Sequence, residues 1–131
     1  MEKEEALKIL CEDYVSFETA KLLREKGFDE PTTKSYYTEG FEAPMKFSHD
    51  LLPRIQTDEF LCPTLQMVMK WLREVHNLHI NIFVTWKDKI PHYQWSIDNL
   101  ITQNTTYDTP CLEKYEEACE AAIKYCLENL I

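Results

Sequence analysis

The stretch that decides the fold is EKYEEACEAAIKYCLENLI, residues 113–131. Its apolar side chains recur every three or four positions, the spacing of one helical face, and its charged side chains fall mainly on other faces. The apolar positions are Tyr115, Ala118, Cys119, Ala122, Ile123, Cys126, Leu127 and Leu130. Because such a stripe must be buried against something, the pattern predicts a packed amphipathic helix and identifies part of the core.

Upstream of this helix the periodicity changes to two, which is typical of a strand with one buried face. The alternating apolar positions are Leu78, Ile80, Ile82, Val84 and Trp86 and, beyond a turn at 88–91, Tyr93, Trp95 and Ile97. In an antiparallel pair these two sets meet on one side of the sheet, so the sequence predicts a hairpin over about 78–98. The other face, which carries polar side chains, is predicted to be wet.

A second helix is predicted between two capping residues near the start of the chain. Ser16 is a good N-cap, and Gly27 stands where a left-handed residue ends a helix, so residues 17–26 are predicted to be helical. Phe28 is expected to pack back on the last turn. A further short helix is predicted at 2–12, where apolar residues alternate with charges.

A third strong helix is predicted to begin at Pro63 or Thr64, to run to about His76 and to end at Asn77. Its inward positions are Leu65, Val68, Met69, Leu72 and Val75. Together with the hairpin, these helices predict a single α+β domain over residues 1–131, in which two or three helices pack on one face of a small antiparallel sheet.

The connections between these elements are harder to assign. A third strand is predicted near 34–38, and 39–62 is predicted as a long irregular connection with a helical turn near Leu51. Residues 99–109 are predicted to loop back to the last helix. That helix begins at Pro110, after Thr109, or as late as Lys114.

Composition limits the classes of partner. The 131 residues carry 23 acidic and 14 basic side chains, a formal charge of −9, which argues against direct nucleic-acid binding because phosphates require neutralising cations. No run approaches the ~18 apolar residues that cross a bilayer, and residues 1–10 lack the apolar core of a secretory signal. Five cysteines, at 11, 62, 111, 119 and 126, form no CxxC pair. A reducing cytoplasm is therefore predicted.

Three stretches look familiar as a set: VSFETAKLLREKGFD at 15–29, PTLQMVMKWLREVHNLHI at 63–80 and the final helix from Tyr115. They resemble a widespread family of small uncharacterised proteins in Bacteroides-type bacteria and their phages or prophages. The resemblance spans about half of the chain and omits 39–62 and 86–110. It implies a bacterial or phage cytoplasmic setting, and it implies no catalytic residue.

Candidate chemical groups are few. His76 and His79 form an HxxH pair, but the helix is predicted to stop between them, so a shared metal ligand geometry is not expected. Cys62 precedes Pro63 at a helix N-terminus, where a thiol pKa falls, but no histidine has a sequence-defined reason to reach it. Glu116, Glu117 and Glu120 are predicted to be solvated on an exposed helix face.

No Walker A lysine, dinucleotide glycine fingerprint, HExxH or GxSxG motif occurs. We therefore assign no catalytic, cofactor-binding or metal-binding residue, and we favour a non-enzymatic protein. Aromatic side chains concentrate interface energy, so the predicted interaction surface consists of Tyr36, Trp71, Phe83 and His79.

Three functions remain open. The preferred hypothesis is an accessory protein, associated with a phage or mobile element, that binds another protein or itself. The second is a small-ligand binder or enzyme that uses the 39–62 loop and the polar sheet face. The third is an acidic mimic of nucleic acid that inhibits a host DNA-binding protein, which requires carboxylates at phosphate-like spacing on one surface.

Overall fold

The computed structural model describes residues 13–30, 34–37, 41–44, 59–107 and 110–131, with the backbone alone at 34–37, 41–44 and 59–60. The described part contains three helices and six strands in the following order. The elements are α1 Phe17–Glu25, β1 Lys34–Tyr37, β2 Phe41–Pro44, β3 Glu59–Cys62, α2 Leu65–His76, β4 Leu78–Lys87, β5 Ile90–Asn99, β6 Thr105–Tyr107 and α3 Tyr115–Tyr125. A π-helical turn, Cys126–Leu130, continues α3. The helix predicted at 2–12 and the turn near Leu51 lie outside the described residues.

The strands form two antiparallel sheets of three strands each, with the orders β2-β1-β3 and β4-β5-β6. The α+β class and the hairpin are thus confirmed. The strand near 34–38 exists, but it pairs with β2 and β3 and does not extend the hairpin sheet. Two strands lie within 39–62, which the sequence analysis treated as irregular, because each is only four residues long and alternation over so few residues is hard to detect.

The β4–β5 hairpin closes through a two-residue turn. Asp88 and Lys89 both have positive φ, at 52° and 65°, as the right-handed twist of a two-residue hairpin requires. All ten residues of β4 pair in continuous register with β5, and Ile80 lies opposite Ile97. The apolar sets of the two strands therefore meet on one face, as their spacing predicted.

The third strand of this sheet is β6, in the segment predicted to be a loop. It pairs with Ser96, Ile97 and Asp98. Tyr93 then exchanges two backbone hydrogen bonds with Leu112, at 2.7 and 2.8 Å, so the chain still follows β5 at that point. This pairing explains why α3 begins late, at Tyr115, and not at Pro110.

The helix ends have the predicted chemistry. The Ser16 hydroxyl accepts a hydrogen bond from the Thr19 N–H, and Gly27 adopts φ 88° after α1. The Thr64 hydroxyl accepts from the Met67 N–H at the start of α2, and Asn77 ends that helix with φ 57°. Because Asn77 is left-handed, the chain leaves α2 and enters β4 without a loop.

The core lies between the hairpin and the helices. α2 packs on β4, α3 packs on both β4 and β5, and α1 packs on α3 and β3. Side chains from all these elements form one buried cluster, whose fully covered members include Leu23, Leu72, Ile97, Ile123 and Leu127.

Three positions of the predicted stripes are exposed. Val75 was predicted to face inward but is 55% exposed, and it lines a groove beside Trp71 on the outer side of α2. Tyr115 and Leu130 are also exposed, at the two ends of the last helical segment. Leu130 leaves the stripe because the π-helical turn has more residues per turn than the α-helix before it.

Candidate interaction surface

The hairpin carries one alternating apolar pattern through two different environments. Near its open end Leu78 and Ile97 are buried beneath the helices. Near its turn, on the same face, Val84 is 44% exposed and Trp86 72%. Ile90, which is 58% exposed, pairs with Lys87 and therefore points to the opposite face. We call Val84 and Trp86 the apolar tip. Large apolar side chains that cluster in water mark interaction sites more often than isolated ones do.

The outer edge of β4 adjoins this tip. β5 has neighbours on both sides, whereas β4 is the last strand of its sheet within the described residues. Its sequence, LHINIFVTWK, has no proline and no acidic residue, and its unbroken register shows no bulge. Every second residue directs its N–H and C=O away from β5, so within the described residues β4 presents a long edge that no proline, carboxylate or bulge of its own protects against strand addition.

The open face of the same sheet holds a polar network around Asp98. Its carboxylate accepts hydrogen bonds from the Thr105 hydroxyl at 2.6 Å and from the Asn81 amide at 2.9 Å. These two bonds and the nearby His79 lower the pKa of Asp98 below its ordinary 3.8. The face is therefore polar, as predicted, and its carboxylate is held by neighbours on two other strands.

Two of the four predicted interaction residues lie on this open face. His79 is half-buried and lies opposite Asp98, and Phe83 is 40% exposed opposite Gln94. Tyr107, on β6, is exposed on the same face. Tyr36 lies in β1, and its side chain is outside the described residues. Phe83 thus lies on β4, the edge strand of the described sheet, and faces the open side of that sheet.

Trp71 lies elsewhere and is only 7% exposed, so its indole is not the surface ring that the sequence analysis favoured. It packs edge-on between Phe28 and His76, with ring centroids 5.2 and 4.6 Å away. The ring also lines a groove of about 320 Å³ along the outer side of α2, beside Met67 and Val75. Trp71 is buried because the ring of Phe28, which follows α1, packs against it and covers this side of α2.

His76 and His79 are separated by the end of α2, as the sequence predicted. His76 is the last residue of the helix, and its buried Nε2 has no hydrogen-bond partner in the described part of the chain. His79 belongs to β4. Within the described residues no three His, Cys, Asp or Glu side chains are placed to hold a metal ion.

Glu120 was predicted to be solvated, but it joins α3 to α1. One of its oxygens accepts from the Ser16 N–H at 3.0 Å, the Ser16 hydroxyl at 2.6 Å and the buried Thr19 hydroxyl at 2.5 Å. Lys124, one turn later, pairs with Glu18 at 3.0 Å. The α1 N-terminus is therefore capped by a residue from the other end of the chain, which no local sequence pattern reveals.

The cysteine thiols divide into buried and exposed groups. Cys62 is fully buried, and its Sγ lies 3.7 Å from the Val15 carbonyl oxygen. Burial raises the pKa of Cys119 to about 11 and that of Cys126 to about 12. Cys111 is exposed, 3.7 Å from the Thr85 hydroxyl. Cys62 thus lacks the open, electropositive surroundings of a nucleophile.

Comparison with protein-family models, with curated proteins and with solved structures found no match. No helix in the described ranges has both the length and the apolar character that bilayer crossing demands. The interaction surface is therefore judged on its own geometry. Of its members, Phe83 was predicted from the sequence and Trp86 was not, because strand periodicity places Trp86 on the core face and does not show that the described helices stop short of it.

Proposed function

We propose that this protein is a non-enzymatic accessory protein that acts by binding another protein or a second copy of itself. The observation that carries the proposal is the apolar tip of the hairpin next to the uncovered edge of β4. A partner strand would satisfy the outward N–H and C=O groups, and a partner surface would remove the exposed rings from water.

The size of the exposed surface supports this proposal. Burial of apolar area contributes roughly 25 cal/mol per Å², so covering most of the Trp86 indole is worth a few kcal/mol before the costs of association. Tryptophan is the residue most enriched among interface positions that dominate binding energy. Trp86 is 72% exposed, which leaves most of its ring available to a partner.

The other reactive groups have structural roles that support a non-enzymatic protein. Cys62 is enclosed by the core, and the Glu120 carboxylate is occupied by three donors from α1. Asp98 is occupied by donors from the neighbouring strands. In each case the side chain that a reaction would use already bonds to its own fold.

The proposed setting is the cytoplasm of a bacterium, in association with a phage or mobile element. This part of the proposal depends on the family resemblance of 15–29, 63–80 and the last helix. The formal charge of −9 supports a protein partner and opposes direct contact with nucleic acid, whose phosphates would be repelled.

Affinity capture with a matched pair of variants tests this function. The immobilised wild type, Trp86→Lys and Tyr107→Lys are exposed to a bacterial lysate, and retained proteins are identified and re-bound in purified form. Tyr107 is as exposed as Trp86 but lies on the opposite edge strand. We expect a partner that binds the wild type and Tyr107→Lys with equal affinity and Trp86→Lys at least about tenfold more weakly.

Two outcomes would contradict the proposal. One is a monomeric wild type that retains no protein. The other is a partner that binds all three chains equally, because its binding would then not involve the tip.

A further inference from the structure

We infer that the β4 edge binds a second copy of this chain, by antiparallel pairing of the two β4 strands around a two-fold axis at Phe83. The inference rests on the proposed function and names its partner. The pairing of the two β4 strands joins the two β4-β5-β6 sheets into one continuous six-stranded sheet.

The alternation of β4 limits how two copies can pair. In an antiparallel pair, directly opposed residues point to the same face, so core-facing positions must oppose core-facing positions. Only two such registers overlap nine of the ten residues, with the axis at Ile82 or at Phe83. Both registers leave the helices of the two copies on the same side of the joined sheet.

The exposed side chains favour the axis at Phe83. In that register Phe83 of one copy lies opposite Phe83 of the other on the open face. Val84 of each copy lies opposite Ile82 of the other on the helix-bearing face. Phe83, Val84 and Ile82 all retain solvent exposure in the single chain. The axis at Ile82 would instead place Phe83 opposite the polar Asn81 and would lose the aromatic pair. In the favoured register Trp86 lies opposite Ile80 of the second copy, next to the helix layer of that copy. Cross-strand aromatic pairs are among the more stabilising ones.

The distribution of charge favours association of two copies through β4 and opposes association through acidic surfaces. Two chains of formal charge −9 repel each other over most orientations. β4 has no carboxylate along its ten residues, and its only formal charge is that of Lys87. The two copies therefore do not bring carboxylates together when they approach through β4.

The area that this pairing buries sets the expected affinity. The exposed parts of Trp86, Phe83 and Val84 amount to about 300 Å² per copy, taking about 150–250 Å² for a whole aromatic side chain. With the strand edges, the total approaches about 1,000 Å², the lower limit for specific association. We therefore expect a dissociation constant in the range of about 1–100 μM.

Sedimentation velocity between about 1 and 200 μM measures this equilibrium over the expected range. We expect the apparent mass of the wild type to rise from 15.6 kDa towards twice that value as its concentration increases. Trp86→Lys should weaken dimerisation at least about tenfold, and Tyr107→Lys should leave it unchanged. Circular dichroism confirms that both variants are folded. A wild type that stays monomeric throughout, or a Tyr107→Lys chain weakened as much as Trp86→Lys, overturns the inference.

A cysteine at the axis tests the register. Phe83→Cys and Tyr107→Cys are prepared in a chain that lacks Cys11 and Cys111, and both are oxidised with copper phenanthroline. Phe83→Cys should give a covalent dimer because opposed residues at the axis lie within disulfide reach, whereas Tyr107→Cys should remain monomeric. Equal crosslinking of the two variants overturns the inference.

The two proposals can fail separately. A monomeric wild type whose captured partner is lost on Trp86→Lys would exclude self-pairing and leave the proposed function intact. A monomer that captures nothing would exclude both.

Discussion

The two ends of the β4–β5 hairpin have the same alternating pattern but opposite surroundings. Ile80, near the open end, is 5% exposed beneath the helices, whereas Trp86, six residues later on the same face of β4 and near the turn, is 72% exposed. Strand periodicity tells which face an apolar residue belongs to. Whether that face is covered depends on how far the neighbouring helices reach, and here the described helices leave the turn end of that face exposed.

The largest effect is expected in the rates at which buried and exposed cysteines react with a disulfide reagent. Burial raises the pKa of Cys126 to about 12 from its ordinary 9, so its thiolate population near neutral pH falls about a thousandfold. In a Cys11→Ser chain we expect a disulfide reagent to modify Cys111 quickly, Cys119 at least about a hundredfold more slowly and Cys126 at least about a thousandfold more slowly, with Cys62 also protected by its burial. A rapid reaction of more than one thiol would show that the core opens.

Truncation of one buried and one exposed isoleucine of β5 compares the two environments through the free energy of unfolding. Ile97→Ala should lower the free energy of unfolding by about 2–5 kcal/mol, because it removes buried methyl groups and leaves a cavity. Ile90→Ala should cost less than about 1 kcal/mol, since its side chain loses little burial. Urea denaturation of both variants at one protein concentration gives the comparison. Equal costs would mean that the turn end of the hairpin is also covered.

The helix layer above the hairpin depends on the contact between Glu120 and α1. Glu120→Ala should reduce the free energy of unfolding by about 1–3 kcal/mol, because it removes the carboxylate that accepts from the Ser16 N–H, the Ser16 hydroxyl and the buried Thr19 hydroxyl. Glu117→Ala, on the exposed side of α3, is the matched control and should change stability by less than about 0.5 kcal/mol. Similar losses in the two variants would contradict a specific role for Glu120.

The smallest effect is expected on the open face, from the titration of Asp98. Its folded pKa lies below 3.8, so its contribution to stability is complete above the unfolded pKa and is lost as pH falls through the folded pKa. Asp98→Asn should therefore lose slightly less stability than the wild type on acidification below about pH 4. Carbon-detected NMR of the carboxyl group gives the pKa directly, and Thr105→Val should raise it towards 3.8. No change in that variant would contradict the assigned cause.

Much of this fold was predictable from local patterns. Ser16, Gly27 and Asn77 mark helix ends because their preferences act within a few residues. The hairpin register followed from alternation along β4 and β5. β6 was missed because a three-residue strand of Thr-Thr-Tyr has no periodicity to detect. Its position is decided by the free edge of β5, which becomes evident only once the hairpin has formed.

The site was less predictable because its features depend on distant contacts. Trp71 becomes buried through Phe28, which lies more than forty positions earlier in the chain. Trp86 becomes exposed because no described helix covers it. Neither fact can be derived from the spacing of residues along one element. Sequence patterns therefore gave the inward and outward faces of the strands and left open which inward positions reach water.

The capping of α1 by Glu120 has a consequence for synthesis on the ribosome. Ser16 and Glu120 are 104 residues apart, so α1 emerges long before its acceptor has been translated. Until then the nascent helix depends on its own Ser16 cap alone, and a chain that stalls before residue 120 lacks the contact that fixes α1 to the C-terminal helix. The final arrangement of the first helix is thus delayed until the last helix has left the exit tunnel.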